Sequence, residues 1–217
     1  MMRFENRREA GHMLAESLSA YANRTDVVVL ALPRGGVPVG FEVARALNAP
    51  LDVFVVRKLG TPGQEELAMG AIASGGVRVL NDEVIRSFGI TDLQIDRVAI
   101  REQWELERRE LAYRGNRPLP DLLNRTVIIV DDGLATGTTM RAAVAALRSY
   151  NPARTVVAVP AAPADICDEL RAEVDEVFCL ITPEVFWAVG AWYEDFSQTT
   201  DAEVHVLLER TFLGMAA

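Results

Sequence analysis

Two adjacent carboxylates, Asp131 and Asp132, stand at the end of an apolar run in "VIIVDDGLATGTTMRAAVAAL", residues 127–147. A strand ending there delivers both acids to the carboxyl edge of a sheet, where open α/β folds bind ligands. Gly133 and Gly137 permit unusual backbone dihedrals, so main-chain amides can converge on one point. Thr136, Thr138 and Thr139 add hydroxyls around the first turn of an expected helix over 138–150. The free amides and dipole of such a turn favour a phosphate. An anion cradle beside paired carboxylates suits a phosphate with hydroxyls attached. The carboxylates accept from vicinal hydroxyls or hold Mg²⁺ through water. The chemistry is that of a sugar phosphate. No Gly-Lys-Ser/Thr follows the strand, so this is not a P-loop.

The elements that must position these residues follow from the apolar pattern. β-branched runs at 26–32, 51–56, 126–130, 154–160 and 176–180 lack alternation, which marks strands buried on both faces of a parallel sheet. Helical patterns fit 37–48, 138–150 and 163–172, with Met140, Val144 and Leu147 on one face of the second. The fold class is therefore α/β, doubly wound, with a mainly parallel sheet and flanking helices. Residues 1–217 read as one domain. Within it, 58–80 is expected to form a long mobile loop (58–75) running into a hairpin, 81–122 a helical insertion, and 181–217 a C-terminal hood and helix. In the insertion, 91–114 is one long helix opened by Thr91 and Gln94 in a capping-box pattern. It carries two apolar stripes: Leu93, Ile100, Trp104 and Leu111 on one side, Ile95, Ala99, Leu106 and Tyr113 on the other. One stripe belongs to the helix's own domain. The second faces a lid or a second subunit, unless the helix is sandwiched inside the monomer. The final helix, "DAEVHVLLERTFL", should turn Val204, Leu207, Leu208 and Phe212 inward.

Composition narrows the partners. Half of the 217 residues are hydrophobic and the net charge is −9, against a nucleic-acid groove. No run is long enough to span a bilayer, and the charged opening "MMRFENRREAGHML" is not a signal peptide. Cys167 and Cys179 make no metal pattern with His12 and His205. They read as buried hydrophobes of a reduced cytoplasm.

Taken with its strand and helix, "VIIVDDGLATGTT" resembles the phosphoribosyl-pyrophosphate (PRPP) binding signature of the type I phosphoribosyltransferases, a similarity covering about residues 26–195. The whole set also resembles a group of stand-alone bacterial chains of that family. The resemblance implies that Asp131 and Asp132 meet the ribose hydroxyls and Mg²⁺, and that Ala135, Thr136, Gly137, Thr138 and Thr139 hold the 5-phosphate. The loop "PRGG" supplies Arg34, Gly35 and Gly36 to the pyrophosphate, often through an unusual peptide bond in the family. Arg57 and Lys58 end the second strand as a basic pair ahead of the mobile loop, where Glu65 or Glu66 could serve as general acid or base. Ala135 stands where hypoxanthine/guanine enzymes carry an acid, which makes 6-oxopurines less suitable acceptors. "FWAVG" resembles the purine-enzyme segment in which an aromatic stacks on the base. Phe186, Trp187 and Trp192 are thus expected either to stack on the acceptor or to form a satellite apolar cluster. The implied partners are PRPP and a nitrogenous base, with a homodimer possible. The implied activity is phosphoribosyl transfer; the alternative is a PRPP-binding regulator without turnover.

Overall fold

The computed structural model describes residues 3–215. Along the chain run α1 (Arg7–Ser17), β1 (Val27–Ala31), α2 (Gly36–Leu47), β2 (Leu51–Val53), β3 (Val56–Thr61), β4 (Gln64–Ala73) and β5 (Val77–Leu80). Then follow α3 (Asp82–Phe88), α4 (Asp92–Arg114), β6 (Thr126–Val130), α5 (Thr138–Leu147), β7 (Arg154–Ala161), α6 (Ala164–Arg171), β8 (Glu176–Ile181) and α7 (Asp201–Met215).

Five strands form a parallel sheet in the order β2-β1-β6-β7-β8. Its strands are apolar at consecutive positions because both faces are covered. Val27 and Val29 meet Leu14, Leu18, Val39, Val43 and Leu47 of α1 and α2 on one side. Val28 and Leu30 meet Met140, Val144, Leu147 and Leu170 of α5 and α6 on the other. Each such side chain, fully buried, contributes roughly 1.5–3 kcal/mol. The strand order reverses between β1 and β6, so their exit loops diverge and open a crevice at their carboxyl ends. Ala31 lies beside Val130 in the register, which brings the loops after residues 31 and 130 to the same place.

A second sheet, antiparallel in the order β3-β4-β5, forms the hood; it is built from residues 56–80 and not from the expected 181–217. Residues 58–75, expected as a long loop, are mostly strand: Val56–Thr61 pairs with Gln64–Ala73 across the turn at Pro62-Gly63. The expected strand 51–56 is also divided. After Val53 the chain leaves the parallel sheet. The Val55 amide donates to Ser74 Oγ at 2.9 Å and the Ser74 amide to Val55 O at 2.8 Å, which hands the backbone to the hood. The continuous apolar run concealed this change of sheet.

The Thr91–Gln94 capping box is formed. Ile95, Ala99, Leu106 and Tyr113 are buried, packing with Val204 and Leu208 of α7, and Tyr113 Oη donates to Asp201 Oδ1 at 3.1 Å. The other stripe is uncovered, so the helix is not sandwiched inside the monomer. Phe212 points outward, contrary to expectation, and lies under the Arg117 guanidinium at 4.8 Å. Cys167 is buried and Cys179 half-buried, both as free thiols. Among the described residues, no helix is long and apolar enough to cross a membrane.

Candidate active site

The crevice between β1 and β6 is built from two short loops. The first passes from Leu32 into α2 through Pro33, Arg34, Gly35 and Gly36, with a cis peptide between Pro33 and Arg34. It lies hard against the second. A Cβ on Gly35 would fall 2.0 Å from Asp132 Oδ2, and one on Gly36 2.8 Å from Val130 O. Glycine is therefore required here by close approach. The Arg34 guanidinium lies 3.7 Å from Asp201 Oδ1.

The second loop carries Asp131 and Asp132 into the crevice. Burial pushes the Asp131 carboxyl well above the ordinary carboxylate range, and the neighbouring Asp132 charge pushes it further. Asp132 is also raised by burial, with Arg7 opposing the shift. Beyond them, Gly137 takes a left-handed conformation (φ 68°) and opens α5 with no side-chain cap. Among the described residues, none of the amides of residues 135–139 donates to a protein acceptor. Thr136 and Thr138 hydroxyls lie 3.0 Å apart beside these amides. Uncapped amides, hydroxyls and a helix start make a concavity suited to an anion.

A cleft of about 990 Å³ separates this loop from the hood. It brings Thr136, Thr138, Thr139 and Arg141 opposite Lys58 and Glu66. Lys58 and Glu66 are paired on the hood, Nζ to Oε2 at 3.2 Å. Arg57 is not part of this cleft. It lies inside β3 and donates from Nε and Nη2 to Glu102 Oε2 of α4, at 2.9 and 2.5 Å. The expectation that Arg57 and Lys58 end a parallel strand is thus corrected. Both lie on an antiparallel strand, where alternation sends adjacent side chains to opposite faces.

The aromatic segment divides as well. Trp192 is buried with Phe4, Ala10 and Tyr193 and has no free face for a ligand; the satellite core describes it correctly. Phe186 stacks on Trp192 at 6.1 Å between centroids. Trp187 projects outward, 86% exposed.

One residue at the site, Arg7, went unnoticed in the sequence, while Tyr193 and Phe196 stood out only as members of the aromatic cluster after the last strand. Arg7, at the start of α1, donates from Nε to Asp132 Oδ2 at 2.8 Å and from Nη1 to Ser197 O at 2.7 Å. Its guanidinium lies 3.9 Å from the centroid of Phe196. Tyr193 Oη donates to Asp132 O at 2.6 Å, and its own ionisation is pushed far up by burial. The Asn6 cap of α1 could have been read as a helix start. Nothing in the chain, however, links position 7 to position 132.

Fold and crevice together define a domain of the phosphoribosyl transferase type: a parallel sheet whose switch point holds an acid pair and a loop of uncapped amides, under an antiparallel sheet. The chain belongs to the phosphoribosyl transferase domain family, whose profile matches residues 5–196. It is 49% identical over 216 residues to a Mycobacterium tuberculosis H37Rv protein named "Putative phosphoribosyl transferase Rv0571c", and equally to its counterpart MT0597 in strain CDC 1551. Those matches cover all of this chain but 48% of the relatives, so the chain spans about half their length. The crystal structure of TT1426 from Thermus thermophilus superimposes with a TM-score of 0.86 at 44% identity, covering 96% of this chain and 99% of that one. The AQ2163 protein from Aquifex aeolicus shares the fold at 14% identity (TM-score 0.52, covering 85% of this chain and 78% of that one).

Proposed function

We propose that this chain transfers the 5-phosphoribosyl group of PRPP to a nitrogenous base, releasing pyrophosphate. The observation that carries this reading is the pairing of uncapped amides at 135–139 with the half-buried acids Asp131 and Asp132 on one loop. In this reading the amides and the hydroxyls of Thr136, Thr138 and Thr139 bind the 5-phosphate. Asp131 and Asp132 accept from the ribose hydroxyls. The Arg34–Gly36 loop and Lys58 face the pyrophosphate, and Trp187, whose ring is free, offers the acceptor a stacking surface. In the same reading Glu66, which lines the cleft from the hood side, exchanges a proton with the base.

Among the described residues, no cluster of three or more metal-ligating side chains occurs. Two carboxylates suffice for Mg²⁺, which keeps several waters and takes ligands from substrate phosphates. Asp131 and Asp132 fit that role, and the ion would neutralise charge on the departing pyrophosphate. The chain's own residues orient the reactants and exclude water. Closure of the hood hairpin over the cleft would keep PRPP from hydrolysis.

One observation favours the second reading, a PRPP-binding regulator. Asp132 and Arg57 are both engaged within the protein, by Arg7 and Glu102. Thermal unfolding with PRPP, with and without Mg²⁺, tests both readings. Saturation at about 100 times Kd adds roughly 2.7 kcal/mol, or about 5–11 °C for a chain of this size. Pyrophosphate release is then followed across purines, pyrimidines and other nitrogen acceptors. Release with one acceptor, weakened by Trp187→Ala through KM, supports the enzyme. Binding without release selects the regulator, and no thermal shift removes both.

A further inference from the structure

The uncovered stripe of α4 is the same read in either direction. Leu93 and Leu111 lie nine residues either side of Glu102, Arg97 and Glu107 five, Ile100 and Trp104 two. Successive steps along the stripe alternate four and three residues, the spacing of a coiled-coil seam. Leu93, Ile100, Trp104 and Leu111 are 62, 55, 74 and 60% exposed, so no other part of the protomer covers them.

We propose that this stripe is the contact between two copies of the chain, with the α4 helices antiparallel about a two-fold axis at Glu102. An isologous interface demands a patch complementary to itself, and this one is. Leu93 of each copy meets Leu111 of the other, Ile100 meets Trp104, and Arg97 meets Glu107. Charge complementarity identifies the occupant as a second copy. Of the arginines on α4, Arg101, Arg108, Arg109 and Arg114 each have a carboxylate within the chain. Among the described residues Arg97 has none, and Glu107 receives only a hydrogen bond from Gln103. Two-fold pairing supplies both partners twice. Near the axis Arg101 would approach its own copy, but its Nε is held by Glu102 Oε1 at 3.1 Å. A hollow of about 320 Å³ beside Leu111, bordered by Pro118 and Leu119, leaves room at the seam's end. The opposite copy brings Leu93 of α4 and the exposed Phe88 of α3 to that end.

The seam from Leu93 to Leu111 is about 27 Å long at 1.5 Å per residue. A standard interface covers about 800 Å² on each partner, more than one helix face provides. Sedimentation equilibrium should therefore extend from about 1 μM to several hundred μM. The expected result is a reversible dimer, lost in Trp104→Glu with an unchanged circular dichroism spectrum. Arg97→Glu and Glu107→Arg should each weaken it by roughly tenfold or more, through like charges brought face to face. The double reversal should restore it to within about threefold. A monomer throughout the range, or a dimer indifferent to Trp104→Glu, overturns the proposal. A dimer that the single reversals weaken and the double does not rescue overturns the antiparallel register. Both charged positions are exposed, so the reversals remain informative if Trp104→Glu fails to fold.

Discussion

Replacing Arg7 by Met keeps an apolar stem and deletes the guanidinium that faces Asp132. The two side chains are 11% and 13% exposed, so little solvent screens them. Asp132 would remain buried beside Asp131 without its counter-charge. Removing one partner of such a pair costs about 3–5 kcal/mol, or roughly 6–20 °C in Tm for a domain of this size. Asp132→Asn removes the charge that Arg7 answers, so adding Arg7→Met to it should cost about 1–2 kcal/mol, the value of the remaining hydrogen bond to Ser197. The urea-unfolding cycle of the four proteins should thus show a coupling of about 1–4 kcal/mol. The deficit also has a pH signature. Without Arg7 the folded-state pKa of Asp132, already raised by burial, rises further above its unfolded value. The folded state then holds more protons than the unfolded one, so the variant loses stability as pH climbs from about 4 towards neutrality. A cost below about 1 kcal/mol, equal in both backgrounds and flat with pH, would refute the reasoning.

Two further outcomes follow from the loops. Gly35→Ala places a methyl group 2.0 Å from Asp132 Oδ2, which must displace the carboxylate. About 1–3 kcal/mol of stability should be lost, along with the thermal shift from PRPP; an intact shift would show that the close approach is unnecessary. Asp131→Asn removes a carboxyl whose folded pKa is raised by burial and by Asp132. Wild-type stability declines as pH rises from the ordinary carboxylate value through that raised one, and the variant should keep only the shallower slope that Asp132 contributes, be at least as stable at pH 8, and release no pyrophosphate. A variant with the wild-type slope would sink the assignment of the titration to Asp131.

The parallel sheet was legible because burial on both faces leaves a continuous apolar run, as in "TVIIV". The acid pair and anion loop were legible because their residues are consecutive. What escaped lies where tertiary context decides. "VVRKLGT" reads as a strand end because its polar residues follow an apolar run, yet it is a hood strand pairing with the antiparallel Gln64–Ala73. Trp192 and Trp187 look equivalent in the chain, and only the packing of Phe4 separates them. Both stripes of α4 were visible, and the structure decided which one faces inward. Arg7 could not be found, since its partner lies 125 residues along the chain.

The Phe4 amide donates to Trp192 O at 2.9 Å, the Glu194 amide to Phe4 O at 2.8 Å, and Arg7 to Ser197 O across 190 residues. At about 5–20 residues per second, a ribosome needs on the order of 10–40 s to move from residue 7 to residue 197. The sheet's central strands emerge well inside that interval. A nascent chain therefore holds Arg7 and the acids before Phe196 and Ser197 arrive to fix the guanidinium in place beside Asp132.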